Sequence, residues 1–242
     1  MSSDKKWAIV TGGSRGLGFE TAKGLIAAGI SVYIIGQDQQ RAQQSAATLG
    51  CEYRAVDVAD SKKFRAVLAE ITEEASAKGF GVLDILVLSH GVMSEKMSKT
   101  LRTNDEEWRR TLSINLDSVF VAVNQLAPAM AEARAGRVII YSACLGRMSG
   151  PGTHGGLAPY RISKAGVNAF VKNLSHETGL GTRGFLVDAI CPGHCRTDMG
   201  GADAPRSAQE GAETALWLAT RDFNPATDKT GLLWEDRQVV DW

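Results

Sequence analysis

The stretch Thr11-Gly12-Gly13-Ser14-Arg15-Gly16-Leu17-Gly18 constrains this chain more than any other. It follows the apolar, strand-like run Trp7–Thr11 directly and leads into an amphipathic run at Leu17–Ala28, so it is a turn joining a strand to a helix. Glycines at 12, 16 and 18 leave out Cβ where a backbone must turn sharply, lie close to a pyrophosphate and let the helix pack on the strand. The amides and positive pole of that helix would then face the phosphates. The spacing is G-x-x-x-G-x-G rather than G-x-G-x-x-G, and the G-K-[ST] ending of a triphosphate loop is missing. A glycine-rich turn can also bind nothing. Its place at the first strand–helix junction is what points to a dinucleotide, with Gly12, Ser14, Arg15, Gly16, Leu17 and Gly18 as the contacting residues.

The rest of the chain repeats this alternation. Strands are predicted at Trp7–Thr11, Ser31–Ile35, Glu52–Ala55, Ile85–Ser89, Arg137–Ser142, Leu186–Ile190 and Gly231–Trp234, and helices at Leu17–Ala28, Gln39–Thr48, Ser61–Lys78, Asp105–Ala133, Pro159–Glu177 and Ala208–Leu218. The expected fold is α/β, a single Rossmann-type doubly wound domain over residues 1–242 with a seven-stranded parallel sheet flanked by helices. The runs Ile85–Leu88 and Val138–Ile140 are apolar on both faces, as central strands require. Two irregular loops, 146–158 with five glycines and 193–206, follow strands in the second half and are expected to wall a substrate pocket.

Length and charge exclude other classes. The chain has 242 residues, enough for one substantial core, and its 27 basic and 27 acidic residues cancel without a cationic run. Nucleic acid and anionic membranes are therefore not expected partners. The polar start Met1-Ser2-Ser3-Asp4 and the absence of a long apolar stretch predict a soluble, cytoplasmic protein. Cys191-Pro192-Gly193-His194-Cys195 looks metal-like, but two cysteines and one histidine make a poor ligand set. No metal is expected, and the four cysteines, Cys51, Cys144, Cys191 and Cys195, read as reduced structural thiols.

Taken together, these motifs resemble the short-chain dehydrogenase/reductase family. Thr11–Gly18 is similar to its fingerprint. Asp57-Val58 matches its adenine-contacting position, Asn115 its helix asparagine, Tyr160-Arg161-Ile162-Ser163-Lys164 its Tyr-x-x-x-Lys pair, and Pro192-Gly193 its turn before the last helix. The tail from Arg196-Thr197-Asp198-Met199 to Trp242 is similar to the carbonyl-reductase branch. The resemblance implies an oxidoreductase that interconverts a ketone or aldehyde and an alcohol by hydride transfer. It also implies cofactor contacts at Ser89, Gly91, Pro192, Gly193 and Thr197 beyond the glycine turn; relatives are commonly homo-oligomers, dimers or tetramers, and some carbonyl reductases are monomers, which leaves the oligomeric state open.

The adenosine ribose of NAD is usually held by a carboxylate ending the second strand, about 20 residues past the glycines. Here that position falls on Gly36, which would not repel a 2′-phosphate, while Arg15 and Gln37 could bond one. NADP(H) is favoured over NAD(H). The alternative is that Arg15 only lies over the surface and Asp38 holds the ribose, although Asp38 before Gln39-Gln40-Arg41 also reads as a helix N-cap.

Reducing a carbonyl leaves an alkoxide that needs a proton. Tyr160 and Lys164 are four residues apart and share a helix face, where an ammonium favours tyrosinate. The resemblance also implies that both touch the cofactor. Asn115 stands in an apolar helix and must hydrogen-bond something, either a water leading from Lys164 or the core itself. Two positions depart from the family. Its Asn-Asn-Ala-Gly reads Leu88-Ser89-His90-Gly91, where His90 is expected to be structural. Its active-site serine falls on Ala143, native or introduced, with Ser142 one residue early and on the opposite face. Slow turnover is therefore expected. Met93, Met148, His154, Leu157 and Met199 are expected to give a mostly apolar pocket. Two other readings stay open: a catalytically impaired NADP-binding sensor, against which Tyr160 and Lys164 both argue, and a same-fold epimerase or dehydratase.

Overall fold

A computed structural model describes residues 5–94 and 99–242; the polar start read at Met1–Asp4 lies outside the described residues. Eight strands, β1 (Trp7–Thr11), β2 (Ser31–Gly36), β3 (Glu52–Ala55), β4 (Ile85–Leu88), β5 (Arg137–Tyr141), β6 (Leu186–Ile190), β7 (Leu233–Glu235) and β8 (Gln238–Val240), form one sheet in the order β3-β2-β1-β4-β5-β6-β7-β8. Neighbours are parallel as far as β7, and only β8 runs antiparallel, to β7. The order reverses at β1 and β4, so their carboxyl ends open the crevice where such sheets bind ligands.

The helices are α1 (Gly16–Ala27), α2 (Gln39–Leu49), α3 (Ser61–Ala77), α4 (Asp105–Leu112), α5 (Ser118–Glu132), α6 (Ala158–Glu177) and α7 (Ala208–Thr220). Side-chain caps start four of them. Asp38 accepts from Arg41 N at 2.7 Å, Asp60 from Lys63 N at 3.1 Å and Asn104 from Glu107 N at 2.8 Å, while Ser207 and Glu210 form a capping box. Each face of the sheet buries its own apolar layer. Phe64, Leu68 and Ile71 of α3, Val119 to Met130 of α5 and Val167 and Val171 of α6 pack on one face; Ala22 and Leu25 of α1, Ala46 of α2 and Leu218 of α7 pack on the other.

Two elements differ from the sequence reading. A seven-stranded, wholly parallel sheet was expected, but Asp236 and Arg237 take positive φ (48° and 61°) and turn the chain back into β8. A tight hairpin usually announces that conformation with Asn-Gly or Asp-Gly, and this one does not. The single helix expected at Asp105–Ala133 is broken by a π-helical turn at Ser113–Asp117. That wider turn takes in an extra residue without ending the helix, which the 3.6-residue hydrophobic pattern alone does not reveal.

Candidate active site

The loop after β1 crosses the carboxyl edge of the sheet and floors a cleft of about 650 Å³. Gly12, Ser14, Arg15, Gly16, Leu17 and Gly18 all line it. The glycines here are steric requirements. Gly12 sits at φ +67°, and a Cβ on Gly18 would collide with the Gly12 carbonyl and Ser89 Oγ. Such a backbone accepts a pyrophosphate against its amides and the start of α1, so the residues present fit a dinucleotide. Gln37, Asp57 and Val58 line the same cleft, as do Ser89, Gly91 and Thr197. Pro192 and Gly193 do not line it, and neither do Tyr160 and Lys164, which lie deeper.

At the β2 end, Gly36 is buried and brings no carboxylate; a Cβ there would come 2.8 Å from Ser14 Oγ, which would have to turn aside. Asp38 spends one carboxylate oxygen on capping α2. Arg15 forms an ion pair with Asp198, and Arg41 lies 3.7 Å from the same carboxylate. Two exposed guanidinium groups thus converge on one anion at the cleft mouth. Sequence reading found Arg15 but passed over Arg41 and Asp198. Arg41 could be seen only as a basic residue in the first turn after the second strand, and Asp198 comes from a loop more than a hundred residues away.

The opposite end is buried and its polar groups are committed. Leu157, in the left-handed region at φ 52°, starts α6 and brings Tyr160 and Lys164 onto its inner side, both nearly inaccessible. Lys164 Nζ donates to the Tyr141 carbonyl at 2.7 Å and lies 6.0 Å from the Tyr160 ring centre. Burial lowers its pKa to about 8. The Tyr160 phenol is pushed up, first by burial and then by the neighbouring thiols of Cys191 and Cys144. Tyr160 therefore holds its proton firmly, contrary to the expectation that proximity to Lys164 would favour tyrosinate. The ammonium faces a carbonyl, and low dielectric disfavours both charged forms. A Cβ on Gly91 would be 3.5 Å from Lys164 Nζ and 3.3 Å from Asn115 Oδ1, so this cleft-lining glycine joins the cradle to the buried pair.

Asn115 lies in the π-helical turn and clamps the chain leaving β4. Its Oδ1 accepts from Val92 N at 2.8 Å, and its Nδ2 donates to Val92 O at 2.9 Å and to Ser163 Oγ at 3.0 Å. Both amide hydrogens are spent, which leaves a lone pair on Oδ1 as the side chain's remaining place for a water. His90 is likewise held on both sides, with Nδ1 at 2.6 Å from Thr11 Oγ1 and Nε2 at 2.5 Å from Ser118 Oγ. His90 is half-buried and lines the cleft; desolvation, with the Lys164 charge beside it, lowers its pKa to about 3, so the ring is neutral and ties β1 to α5.

At the β5 end the Ser142 hydroxyl is already committed within the protein. Ser142 points into α6, with its hydroxyl 2.5 Å from Asn168 Oδ1 and 3.3 Å from the Lys164 carbonyl. Asn168 Nδ2 in turn donates to Gly146 O at 3.1 Å. Ala143, the next residue, has extended backbone and brings no hydroxyl. The segment after it is pressed against α6, for a Cβ on Gly146 would come 2.7 Å from Lys164. Loop 146–158 is held by Arg161, which donates to the carbonyls of Leu145, Pro151 and Gly152. Loop 193–206 is closed by a bridge between Cys195 and Arg206. Of the expected pocket residues, Met199 lines the cleft, Met93 and Leu157 are half-buried, and Met148 and His154 are exposed. No cluster of three potential metal ligands and no helix long and apolar enough to cross a membrane occurs among the described residues.

Comparison with known proteins gives consistent results. Residues 6–208 match a family described as short chain dehydrogenase. The chain is 34% identical over 201 residues to the 3-oxoacyl-[acyl-carrier-protein] reductase FabG of Escherichia coli K12, covering 82% of this chain and 77% of that protein. It is 32% identical over 200 residues to the FabG protein of Chlamydia trachomatis, covering 80% and 75%. Among solved structures, a single-substitution variant of actinorhodin polyketide ketoreductase with NADPH superposes with a TM-score of 0.78 at 26% identity, covering 91% of this chain and 92% of that one. A short chain dehydrogenase/reductase family protein superposes with a TM-score of 0.78 at 24% identity, covering 97% and 96%, and supports the fold alone.

Proposed function

The chain belongs to the short chain dehydrogenase family, and from that premise we propose that it is an NADP(H)-dependent oxidoreductase interconverting a ketone or aldehyde and an alcohol. The observation that carries this reading is the continuity at Gly91, which lines the dinucleotide cleft and touches the space of Lys164 and Asn115. NADP(H), when bound, supplies or takes the hydride. The chain does the rest. Gly12, Gly16 and Gly18 let backbone and helix terminus meet the pyrophosphate; Asp57 and Val58 bracket the adenine end; Ser89, Gly91, Thr197 and the Pro192-Gly193 turn shape the nicotinamide end.

Specificity for the 2′-phosphate follows from charge. Gly36 carries no carboxylate, Asp38 is turned to its helix cap, and Arg15 offers a planar fork of donors, with Gln37 in the same cleft lining. Tyr160 keeps a proton at Oη and gives it to the alkoxide as it forms, or takes it back in the reverse direction. Lys164 and Asn115 place that phenol and the cofactor ribose. Ala143 supplies no second donor to the substrate oxygen, so turnover is slow. The names of the E. coli relative and of the ketoreductase neighbour support a ketone as substrate.

The test is a panel of ketones, aldehydes and secondary alcohols, including a 3-oxoacyl thioester, followed by NADPH absorbance in this protein and in Ala143→Ser. Turnover of at least one carbonyl is expected in both, faster in the variant. Tight NADPH binding with no turnover in either protein would favour the second reading, a cofactor-binding sensor, for which the missing hydroxyl is the specific observation.

A further inference from the structure

We propose that Asp198 is a built-in competitor for the cofactor's 2′-phosphate: its carboxylate pairs with Arg15 and Arg41, the phosphate must displace it to reach them, and its displacement unties the loop at 193–206. The inference rests on the NADP(H) reading and deepens it, from which residues hold the phosphate to what governs access to them. Arg15 comes from the turn after β1, Arg41 from the first turn of α2 and Asp198 from the loop between β6 and α7, and all three line the cleft. One carboxylate oxygen takes both contacts. Oδ2 of Asp198 is ion-paired with Arg15 Nη1 and lies 3.7 Å from Arg41 Nη1.

Charge and the number of acceptor oxygens decide between the two anions. The other carboxylates lining the cleft have partners of their own: Asp38 accepts from Arg41 N at 2.7 Å, Asp57 from Ala59 N at 3.0 Å, and Glu20 lies 3.7 Å from Lys23. Among the described residues, the partners of Asp198 are the two guanidinium groups. A carboxylate sets one negative charge and two oxygens against these two cations. A phosphomonoester brings about −1.5 to −2 charge and three oxygens, enough to serve both guanidinium forks. The two anions cannot share the arginines without repelling each other at short range. The Asp198 side chain is 68% exposed, so it can swing into water with little loss of packing. NAD(H), which carries no 2′-phosphate, leaves the ion pairs in place.

The exchange matters because Asp198 sits on a loop that is hydrogen-bonded to itself. Arg196 N donates to Arg206 O at 2.7 Å and Arg206 N to His194 O at 3.2 Å, which closes the base. Gly201 N donates to Thr197 O at 2.8 Å, and His194 Nε2 is 2.8 Å from Gly200 O, which closes the tip. That tip meets the phosphate cradle in two ways. One is steric, since a Cβ on Gly16 would come 3.1 Å from Thr197 Cγ2; the other is ionic, through Asp198. Met199, the next residue, lines the cleft. Capture of the 2′-phosphate therefore frees a wall of the site that NAD(H) leaves tied.

The experiment compares adenosine 2′,5′-bisphosphate with adenosine 5′-monophosphate, which differ by the 2′-phosphate alone, binding to the full chain and to Asp198→Asn by calorimetry. Exposed ion pairs are individually weak, so the variant is expected to bind the bisphosphate roughly three- to tenfold tighter, with the monophosphate unchanged. The gain should shrink at high salt, which screens exposed charges. Hydrogen exchange over 197–201 supplies a second readout. Without nucleotide it should be faster in Asp198→Asn than in the unaltered protein, and in the unaltered protein the bisphosphate should speed it while the monophosphate does not. Equal or weaker bisphosphate binding in the variant, with the bisphosphate still preferred over the monophosphate in both proteins, overturns the competitor role and leaves the 2′-phosphate assignment standing. Unchanged exchange at 197–201 in the variant overturns the tie to the loop. If neither protein prefers the bisphosphate, the NADP(H) reading fails and this proposal falls with it.

Discussion

The two ends of the carboxyl edge are built on opposite principles. At the β1–β2 end, backbone amides and exposed arginines face an open cleft, and the arginines that would grip a ligand pair only with Asp198 across the mouth. At the β4–β5 end, Lys164, Asn115 and Ser142 are buried and His90 is half-buried, and every one is already hydrogen-bonded to protein. An open end adapts to its ligand and loses little when one contact is removed. A buried end is preorganised, so a single atom there alters chemistry or stability sharply. The contrast teaches where to look for large effects.

The largest is expected from adding one oxygen at the buried end. Ala143→Ser restores a donor to the substrate oxygen and should raise kcat by on the order of 10²–10³-fold, read from NADPH oxidation on the best carbonyl substrate. An unchanged kcat would show that position 143 does not face the reacting oxygen. Tyr160→Phe removes the proton while keeping the ring. Turnover should fall by roughly 10²-fold with NADPH affinity kept, and near-normal rates would move the acid elsewhere.

Ser142→Ala sharpens the contrast between neighbours. Its hydroxyl serves Asn168 rather than substrate, so the variant should lose about 1–3 kcal/mol in denaturant unfolding, with kcat little changed in the folded protein. If activity disappears from a fully folded variant, Ser142 is a catalytic residue. At the open end the expected effect is smaller. Arg15→Ala should weaken NADPH by about tenfold, or about 1.4 kcal/mol, and leave NADH nearly unchanged by calorimetry; equal losses for both would remove the 2′-phosphate assignment.

A pH slope tests the histidine at the β4–β5 end through stability rather than activity. His90 has its pKa lowered to about 3 in the folded chain from an ordinary value of 6.5, so between those values the unfolded chain binds the extra proton and stability falls as pH falls. The stability difference between the unaltered protein and His90→Asn should therefore shrink from pH 7 to pH 4. A constant difference would mean that the ring does not need to be neutral.

Much of this arrangement was legible before any coordinates. The spacing of the cradle is local: Gly12 to Gly18 are near neighbours in the chain, so the run identifies itself, although Ser89, His90 and Thr197, which leave little room for Cβ atoms on these glycines, come from elsewhere. Tyr160 and Lys164 were readable for the same reason, sharing one helix. Asn115 was recognised as an awkward guest in its helix, but not the π-helical turn that turns it onto Val92, because that partner is 23 residues away. The hairpin to β8 was missed because its positive-φ turn is made of Asp236 and Arg237, which carry no glycine to announce it.

Sequence by itself determined what short-range sterics and periodicity control: the alternation of strands and helices, the glycine-rich turn after β1 and the spacing of Tyr160 and Lys164 on one helix. It also placed an alanine where a hydroxyl is expected. Tertiary structure alone decided how polar groups far apart in the chain spend their hydrogen bonds. It sent Ser142 to Asn168, Lys164 to Tyr141 and His90 to Thr11 and Ser118, and drew Arg41 and Arg15 to one carboxylate. The reason is that burial makes an unpaired polar group costly, and its partner is whichever group the packed sheet brings within reach, a fact about neighbours in space that no local pattern encodes.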